Sequence, residues 1–230
     1  METELGANPI SLLPALWYQI ANRTGEIRLA YMNAVTRLYS ENFSKKLGTW
    51  CVDHGVEYIG HIIEDMDNHA RLGSGAGHYF RAMEGQDMAG IDIVLHQVLP
   101  GFAHLQHAAS WGYQYSDAPY YHYVLGQLAA SHAHISPKCK GRAMCEVFGA
   151  YGWAEGLPMM KWLADFLLVR GINHFVPHAY NDMILDQDCP PHFGLKNNDP
   201  QAVGFSTLMG YMNRMSYLLS GGVHISNVAI

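Results

Sequence analysis

The stretch RAMCEVFGAYGW, from Arg142 to Trp153, indicates the fold class of this chain. Its short apolar run ends in a carboxylate, Glu146, and small and aromatic residues separate that acid from an amphipathic helix predicted over residues 157–170. A buried strand with a polar group at its C-terminal end is how α/β enzymes expose a reactive side chain. We therefore interpret the stretch as a buried strand that delivers Glu146 to a site.

The same order of helix, glycine and short apolar strand recurs on both sides of this stretch. The predicted strands are YIGHII (58–63), IDIVLHQV (91–98), RAMCEVF (142–148), INHFVPHA (172–179) and VHISNVAI (223–230). The predicted helices cover residues 26–51, 76–88, 119–134, 157–170 and 205–219. Strands that are apolar throughout have both faces covered, so the sheet is predicted to be parallel. An open doubly wound sheet and a partial or complete TIM-type (β/α)8 barrel both fit these α/β units.

Composition narrows the classes of function. The 230 residues are 49% hydrophobic and 15% charged, which is enough to bury the core of one domain over residues 1–230. The formal net charge of −6 and the lack of a basic cluster in the sequence argue against nucleic acid and membrane partners. The N-terminal sequence lacks the pattern of a signal peptide. The four cysteines have no CxxC spacing, so we expect free thiols.

Polar side chains lie at the ends of four predicted strands, where a buried strand does not need them for stability. In parallel α/β folds these ends converge on one edge of the sheet, and sites form there. The side chains are His61 and Glu64, His96 and Gln97, Glu146, and His178 and Tyr180, in strand order. The pattern predicts one site built from all four strand ends.

Glu64 and Glu146 are the predicted catalytic pair. They follow strands that one other strand separates, so both side chains can reach one pocket. Two carboxylates around a common space can cleave a glycosidic bond: one protonates the leaving oxygen, and the other attacks or activates water. We expect burial to raise the pKa of the acid. A structural role is the alternative for each, with Glu64 at a helix N-terminus and Glu146 paired with Arg142.

Aromatic residues and histidines near these acids predict contacts with an uncharged polar ligand. Tyr151 and Trp153 follow Glu146 and can form a platform for a sugar ring, with core packing as the alternative. His69 lies on a glycine-rich loop after Glu64 and is predicted to contact the ligand. A carbohydrate is therefore the expected partner.

Two other classes of function stay open. The first is a metal-dependent hydrolase, because nitrogen and oxygen ligands at strand ends suit zinc or manganese. Its ligands would be His61, His96, Glu146 and His178. The second is a non-catalytic carbohydrate-binding module. For the glycosidase itself we expect no metal and no cofactor.

Four phrases of the sequence resemble a known family. They are GHIIED (60–65), GIDIVLHQVLPG (90–101), CEVFGAYGW (145–153) and MKWLADFLLVRGINHFVPHAY (160–180). Together they resemble the catalytic-barrel region of large bacterial glycoside hydrolases, nearest to the α-L-rhamnosidases of glycoside hydrolase family 106. The resemblance covers residues 10–230, and LLVRGINHFVPHAY is its most specific part. It implies a (β/α)8 barrel followed by β-rich domains, with Glu64 and Glu146 as the acids of glycosidic hydrolysis.

The last residues predict that a longer chain contains this one. The strand-like run at 223–230 stops at Ile230 without a polar exit, so we expect a truncated barrel region with residues 223–230 as the start of a following segment. We expect a cytoplasmic protein, or an unassigned compartment if a longer parent chain is secreted. Further expected partners are a second copy of the chain or the other domains of that parent.

Overall fold

A computed structural model describes residue 6 and residues 8–62, 76–104, 117–181, 186–194 and 200–225. The chain divides into two compact units. The first comprises residues 1–58 and 65–87, and the second comprises residues 59–64 and 88–230. Glu64, His69 and residues 226–230 lie outside the described ranges.

The first unit is helical in its described residues. Its helices are α1 (Pro9–Leu12), α2 (Thr24–Tyr39), α3 (Lys45–Asp53) and α4 (Tyr79–Ala82). Shorter turns complete it: 3-10 turns at Leu13–Leu16, Ala21–Arg23 and Met83–Gly85, and a π-helical turn at Ser40–Ser44. The helix predicted over residues 26–51 is confirmed, because the π-helical turn joins α2 to α3 without a break. The helix predicted over residues 76–88 is shorter, since the backbone of His78 and of Gln86 is extended at its two ends.

The second unit is built on a parallel sheet. Its strands are β1 (Ala89–Ile93), β2 (Ala143–Val147) and β3 (His174–Pro177), in that order across the sheet. A π-helical turn (Tyr120–Leu125) precedes helix α5 (Gly126–Ile135), and the later helices are α6 (Leu157–Leu168) and α7 (Ala202–Ser220). The parallel pairing of these strands confirms the predicted α/β class. A full (β/α)8 barrel is not shown, although these units are compatible with part of one.

Helices and loops cover strands β1 and β2, whereas the residues of β3 are half-buried or exposed. All five residues of β1 are buried, and β2 is buried apart from Glu146, which is half-buried. Helix α5 packs against β1 and β2, and α7 packs against α6. All four cysteines lie in the described residues, and they form no disulfide. No helix in the described part of the chain is long and apolar enough to cross a membrane.

Three of the predicted strands differ from the structure in their described residues. The described residues of the first, 58–62, form no strand. In the first unit, the Tyr58 N–H donates to the Asp87 side chain at 2.9 Å, where a strand partner would offer a main-chain carbonyl. The strand predicted over 91–98 ends at Ile93, because Leu95 and His96 both turn the chain with positive φ, 57° and 59°. Residues 223–225 of the last predicted strand are irregular.

The start of β1 depends on a glycine. The Gly60 main chain of the second unit passes directly over Gly90, and a Cβ at position 90 would overlap the Gly60 carbonyl oxygen. Backbone cannot move aside as a flexible side chain can, so overpacking here should be destabilising. Because Gly90 leaves room for Gly60, His61, which follows Gly60 in the chain, can lie beside strand β1.

We predict that Gly90→Ala lowers the free energy of unfolding by about 3 kcal/mol, measured by urea denaturation. Gly25→Ala is the matched control. It adds the same methyl group near the start of helix α2, where no described atom lies within 4 Å of the new carbon. The control should keep or raise the stability by up to about 1 kcal/mol. Equal stability of the two variants would contradict the close approach of Gly60.

Candidate active site

The β1–β2 pair brings two carboxylates together around a histidine. Asp92 and Glu146 are register partners on neighbouring strands, so their side chains leave the same face of the sheet. His61 Nε2 lies 3.2 Å from Glu146 Oε2, and His61 Nδ1 lies 3.9 Å from Asp92 Oδ1. A protonated imidazole therefore forms an ion pair with each acid. The sequence prediction included His61 and Glu146 and missed Asp92, although a carboxylate inside an apolar strand was a usable signal.

Burial and charge distinguish the members of this cluster. Asp92 is 1% exposed, whereas the side chains of His61 and Glu146 are 22% and 29% exposed, so Glu146 is the acid that a ligand can reach. The hydrogen bond from His61 holds the pKa of Glu146 below its ordinary value, against the opposing effect of burial. The charges of His61 and His178 act in the same direction as that hydrogen bond. Glu146 is therefore ionised at neutral pH, which suits a nucleophile or general base.

The alternative of a structural salt bridge to Arg142 does not describe Glu146. Arg142 precedes β2, at the end opposite Glu146, and its Nε donates to the Cys139 carbonyl oxygen at 3.2 Å. The hydrogen bond to His61 is the contact that orients the Glu146 carboxylate.

Side chains that were predicted to contact substrate form hydrogen bonds and ring contacts that hold the loop after β1. Gln97 is 4% exposed and its Oε1 accepts a hydrogen bond from the Val94 N–H at 3.0 Å. Tyr151 is 5% exposed; its hydroxyl donates to the Val98 carbonyl oxygen at 2.9 Å and accepts from the Val98 N–H at 3.2 Å. The His96 ring packs against the Tyr151 ring with 4.9 Å between centroids. Tyr151 thus fits the alternative of core packing.

The loops after β2 and β3 present the other predicted contacts. Trp153 and Tyr180 are 41% and 54% exposed. Of the two aromatic residues predicted to form a sugar platform, Tyr151 is buried and Trp153 has an accessible ring. His178 follows β3, and its N–H donates to the Val147 carbonyl oxygen at 2.9 Å, which continues the pairing with β2. This places His178 near Glu146.

A segment over residues 189–193 joins these two loops. The N–H groups of Ala150 and Gly152 donate to the carbonyl oxygens of Cys189 and Pro190, at 3.3 and 2.9 Å. On the other side, Phe193 exchanges two main-chain hydrogen bonds with the 179–181 stretch, at 3.0 and 3.1 Å.

The 189–193 segment places a histidine that the sequence prediction missed. The His192 ring centroid lies 5.7 Å from that of Trp153 and 6.4 Å from that of His178. No local pattern indicates this position, because it depends on hydrogen bonds to two loops that are distant in sequence.

Glu155 is a second carboxyl group that the sequence prediction missed. Its pKa is raised, whereas that of Glu146 is lowered. It is 4% exposed, and neither carboxyl oxygen has a hydrogen-bond partner in the part of the chain that the structure describes. Burial raises the pKa of Glu155 to about 8. The residue lies two positions before helix α6. Burial raises the pKa of the Tyr151 hydroxyl, and the charge that Glu155 carries once it is ionised raises that pKa further. Glu155 therefore holds a proton at neutral pH.

The described residues contain no group of three or more His, Cys, Asp or Glu side chains that could hold a metal ion. The four predicted metal ligands are therefore not gathered at one point, and the His96 ring lies against Tyr151. Glu64 and His69 lie outside the described residues. The pairing of Glu64 with Glu146 accordingly stays a prediction.

Comparison with known proteins gives one fold relationship. No protein-family model and no curated protein sequence matches the chain. A rhamnosidase from Novosphingobium sp. PP1Y has a similar fold, with a TM-score of 0.61 at 16% sequence identity. The match covers 96% of this chain and 20% of that protein, so this chain spans about a fifth of the rhamnosidase's length. At this identity the likeness shows a shared fold.

We predict that Glu155 makes the protein less stable as the pH rises. Its pKa of about 8 in the folded state exceeds the ordinary glutamate value, so the folded state retains a proton that the unfolded chain releases in this range. The free energy of unfolding should therefore fall by about 3 kcal/mol between pH 5 and pH 8 from this group alone. Urea denaturation at a series of pH values measures the effect.

Glu155→Gln removes the titration, so its stability should depend less on pH than that of the wild type. Glu41→Gln is the control, because Glu41 is exposed and lies in a surface ion pair with the exposed Arg37 at 3.6 Å. Identical pH profiles for the wild type and Glu155→Gln would show that Glu155 does not carry the raised pKa.

Proposed function

We propose that this chain is part of a glycoside hydrolase and supplies a catalytic carboxylate, Glu146. The observation that carries the proposal is the Glu146 carboxylate at the C-terminal end of a parallel strand, held ionised by a 3.2 Å hydrogen bond from His61. The fold likeness to a rhamnosidase supports the same class of reaction, because that protein is a glycosidase by name. The proposed substrate is a carbohydrate with an O-glycosidic bond.

In this mechanism Glu146 acts at the anomeric carbon. Its ionised oxygen either attacks that carbon or removes a proton from an attacking water molecule. His61 is a positioning residue, since it orients the Glu146 carboxylate and keeps it ionised. Asp92 is a second positioning residue, because its Oδ1 lies 3.9 Å from His61 Nδ1 and helps to orient the His61 ring.

A second carboxyl must protonate the leaving oxygen. Glu64 remains the proposed acid, on the strand-end pattern of the sequence and on the family resemblance. Separation of the two roles is chemically reasonable, because the lowered pKa of Glu146 makes it a poor proton donor at neutral pH. The reaction then needs no metal and no cofactor.

We predict that Glu146→Gln lowers kcat/KM at least about 10³-fold while a free sugar still binds. The amide keeps the shape of the side chain and loses the charge that attacks or accepts a proton. Hydrolysis of a panel of 4-nitrophenyl glycosides, with the α-L-rhamnopyranoside included, provides the measurement. Glu41→Gln makes the same change at a surface position and should keep full turnover.

Two results would reject the proposal. One is full turnover by Glu146→Gln, which would assign the chemistry to other groups. The other is a folded wild-type chain that hydrolyses none of the glycosides, which would favour a non-catalytic carbohydrate-binding protein.

A further inference from the structure

Two buried histidines, His192 on the 189–193 segment and His178 after β3, have ring nitrogens that the mechanism does not explain. His192 is 6% exposed, and neither of its ring nitrogens has a hydrogen-bond partner among the described residues. His178 Nδ1 is also buried without a partner. Buried polar atoms are normally satisfied, and leaving them unpaired destabilises a protein. The proposed mechanism uses neither His192 nor the unpaired nitrogen of His178.

The backbone that carries His192 is nevertheless held in place. Main-chain hydrogen bonds hold the 189–193 segment on both sides, to the loop after β2 and to the loop after β3. Buried groups that are held firmly and left unpaired often interact with a ligand, because function can be favoured at some expense of stability. The three unpaired nitrogens therefore indicate a binding site.

Space is reserved for the His178 ring by a glycine. A Cβ at Gly149 would lie 3.0 Å from His178 Cγ and 3.1 Å from His178 Nδ1. Any side chain at position 149 would push the ring by a few tenths of an ångström. The absence of a side chain there lets the imidazole lie against the loop after β2, on the side of Glu146.

The chemistry of these groups selects the ligand. Each imidazole nitrogen can donate or accept a hydrogen bond, depending on its protonation, and a sugar hydroxyl can do both, so the two match. The ring of Trp153 is 41% exposed and lies next to His192, where its face can pack against the C–H face of a sugar. The ionised Glu146 disfavours an anionic ligand. A neutral monosaccharide unit fits best.

We propose that Trp153, His178 and His192 form a subsite for one neutral monosaccharide unit beside Glu146. The inference rests on the proposed function for its position in a reaction, because the unit bound here presents its glycosidic bond to Glu146. The binding itself depends only on the three side chains. His192 is the residue that neither the sequence prediction nor the catalytic mechanism assigns.

The deciding variant is His192→Phe, which keeps a ring and removes both nitrogens. Because those nitrogens have no hydrogen-bond partner among the described residues, the free protein should keep or raise its Tm. Sugar binding should weaken about tenfold or more. The probes are the methyl glycosides of rhamnose, fucose, galactose, glucose and mannose, with binding measured by calorimetry.

The matched control is His122→Phe. His122 is 4% exposed, and its Nε2 accepts a hydrogen bond from the Leu99 N–H at 3.4 Å. The same change should therefore lower the Tm there and leave sugar affinity intact. His192→Phe thus tests a buried histidine that is proposed to bind a ligand, and His122→Phe tests one that stabilises the fold.

The proposal is overturned if His192→Phe binds the sugars as the wild type does, or if the wild type binds none of them. Should His192→Phe fail to fold, Trp153→Ala and Gly149→Ala decide, and unchanged affinity in both rejects the subsite. Turnover of the 4-nitrophenyl glycosides is measured alongside. If the wild type hydrolyses the glycosides and His192→Phe binds sugar as tightly as the wild type, only the subsite is rejected. If His192→Phe binds sugar more weakly and the wild type hydrolyses none of the glycosides, only the glycosidase proposal is rejected.

Discussion

The hydrogen bond between His61 and Glu146 is the interaction on which the rest of the site depends. The register of β1 and β2 puts Asp92 and Glu146 side by side on one face of the sheet, an arrangement that is repulsive when both acids are ionised. The His61 ring between them relieves that repulsion and orients the more exposed acid toward solvent. The backbone of Gly60 and Gly90 allows this, because a side chain on Gly90 would exclude the segment that carries His61.

Two carboxyl groups in one stretch of chain have pKa values that are shifted in opposite directions. Glu146 ends a strand beside a histidine and keeps its charge, whereas Glu155 lies nine positions later in an apolar setting and keeps its proton. Enzymes commonly separate acid and base roles by environments of this kind. In this chain the proposed reaction uses the charged group, and the proton of Glu155 has its clearest effect on stability.

The sequence predicted what depends on local pattern. The apolar runs of β2 and β3, and the periodicity of α6, are read directly from neighbouring residues, and with β2 comes the strand-end position of Glu146. Tertiary contacts decide the rest. The positive φ of His96 ends β1 early, the buried hydroxyl of Tyr151 binds the loop after β1, and His192 reaches the site through hydrogen bonds to remote loops. A single sequence contains no local signal for these.

The pKa of the Glu146 carboxyl tests the central claim most directly. Carbon-13 NMR of the glutamate side-chain carboxyl carbons, with Glu146→Gln to assign the signal, follows its titration. We expect a pKa below the ordinary range for glutamate in the wild type, and a higher value in His61→Leu, where the hydrogen bond is lost. The control variant His54→Leu makes the same change at an exposed position and should leave the pKa of Glu146 as it is in the wild type. The same pKa of Glu146 in the wild type and in His61→Leu would contradict the role of His61.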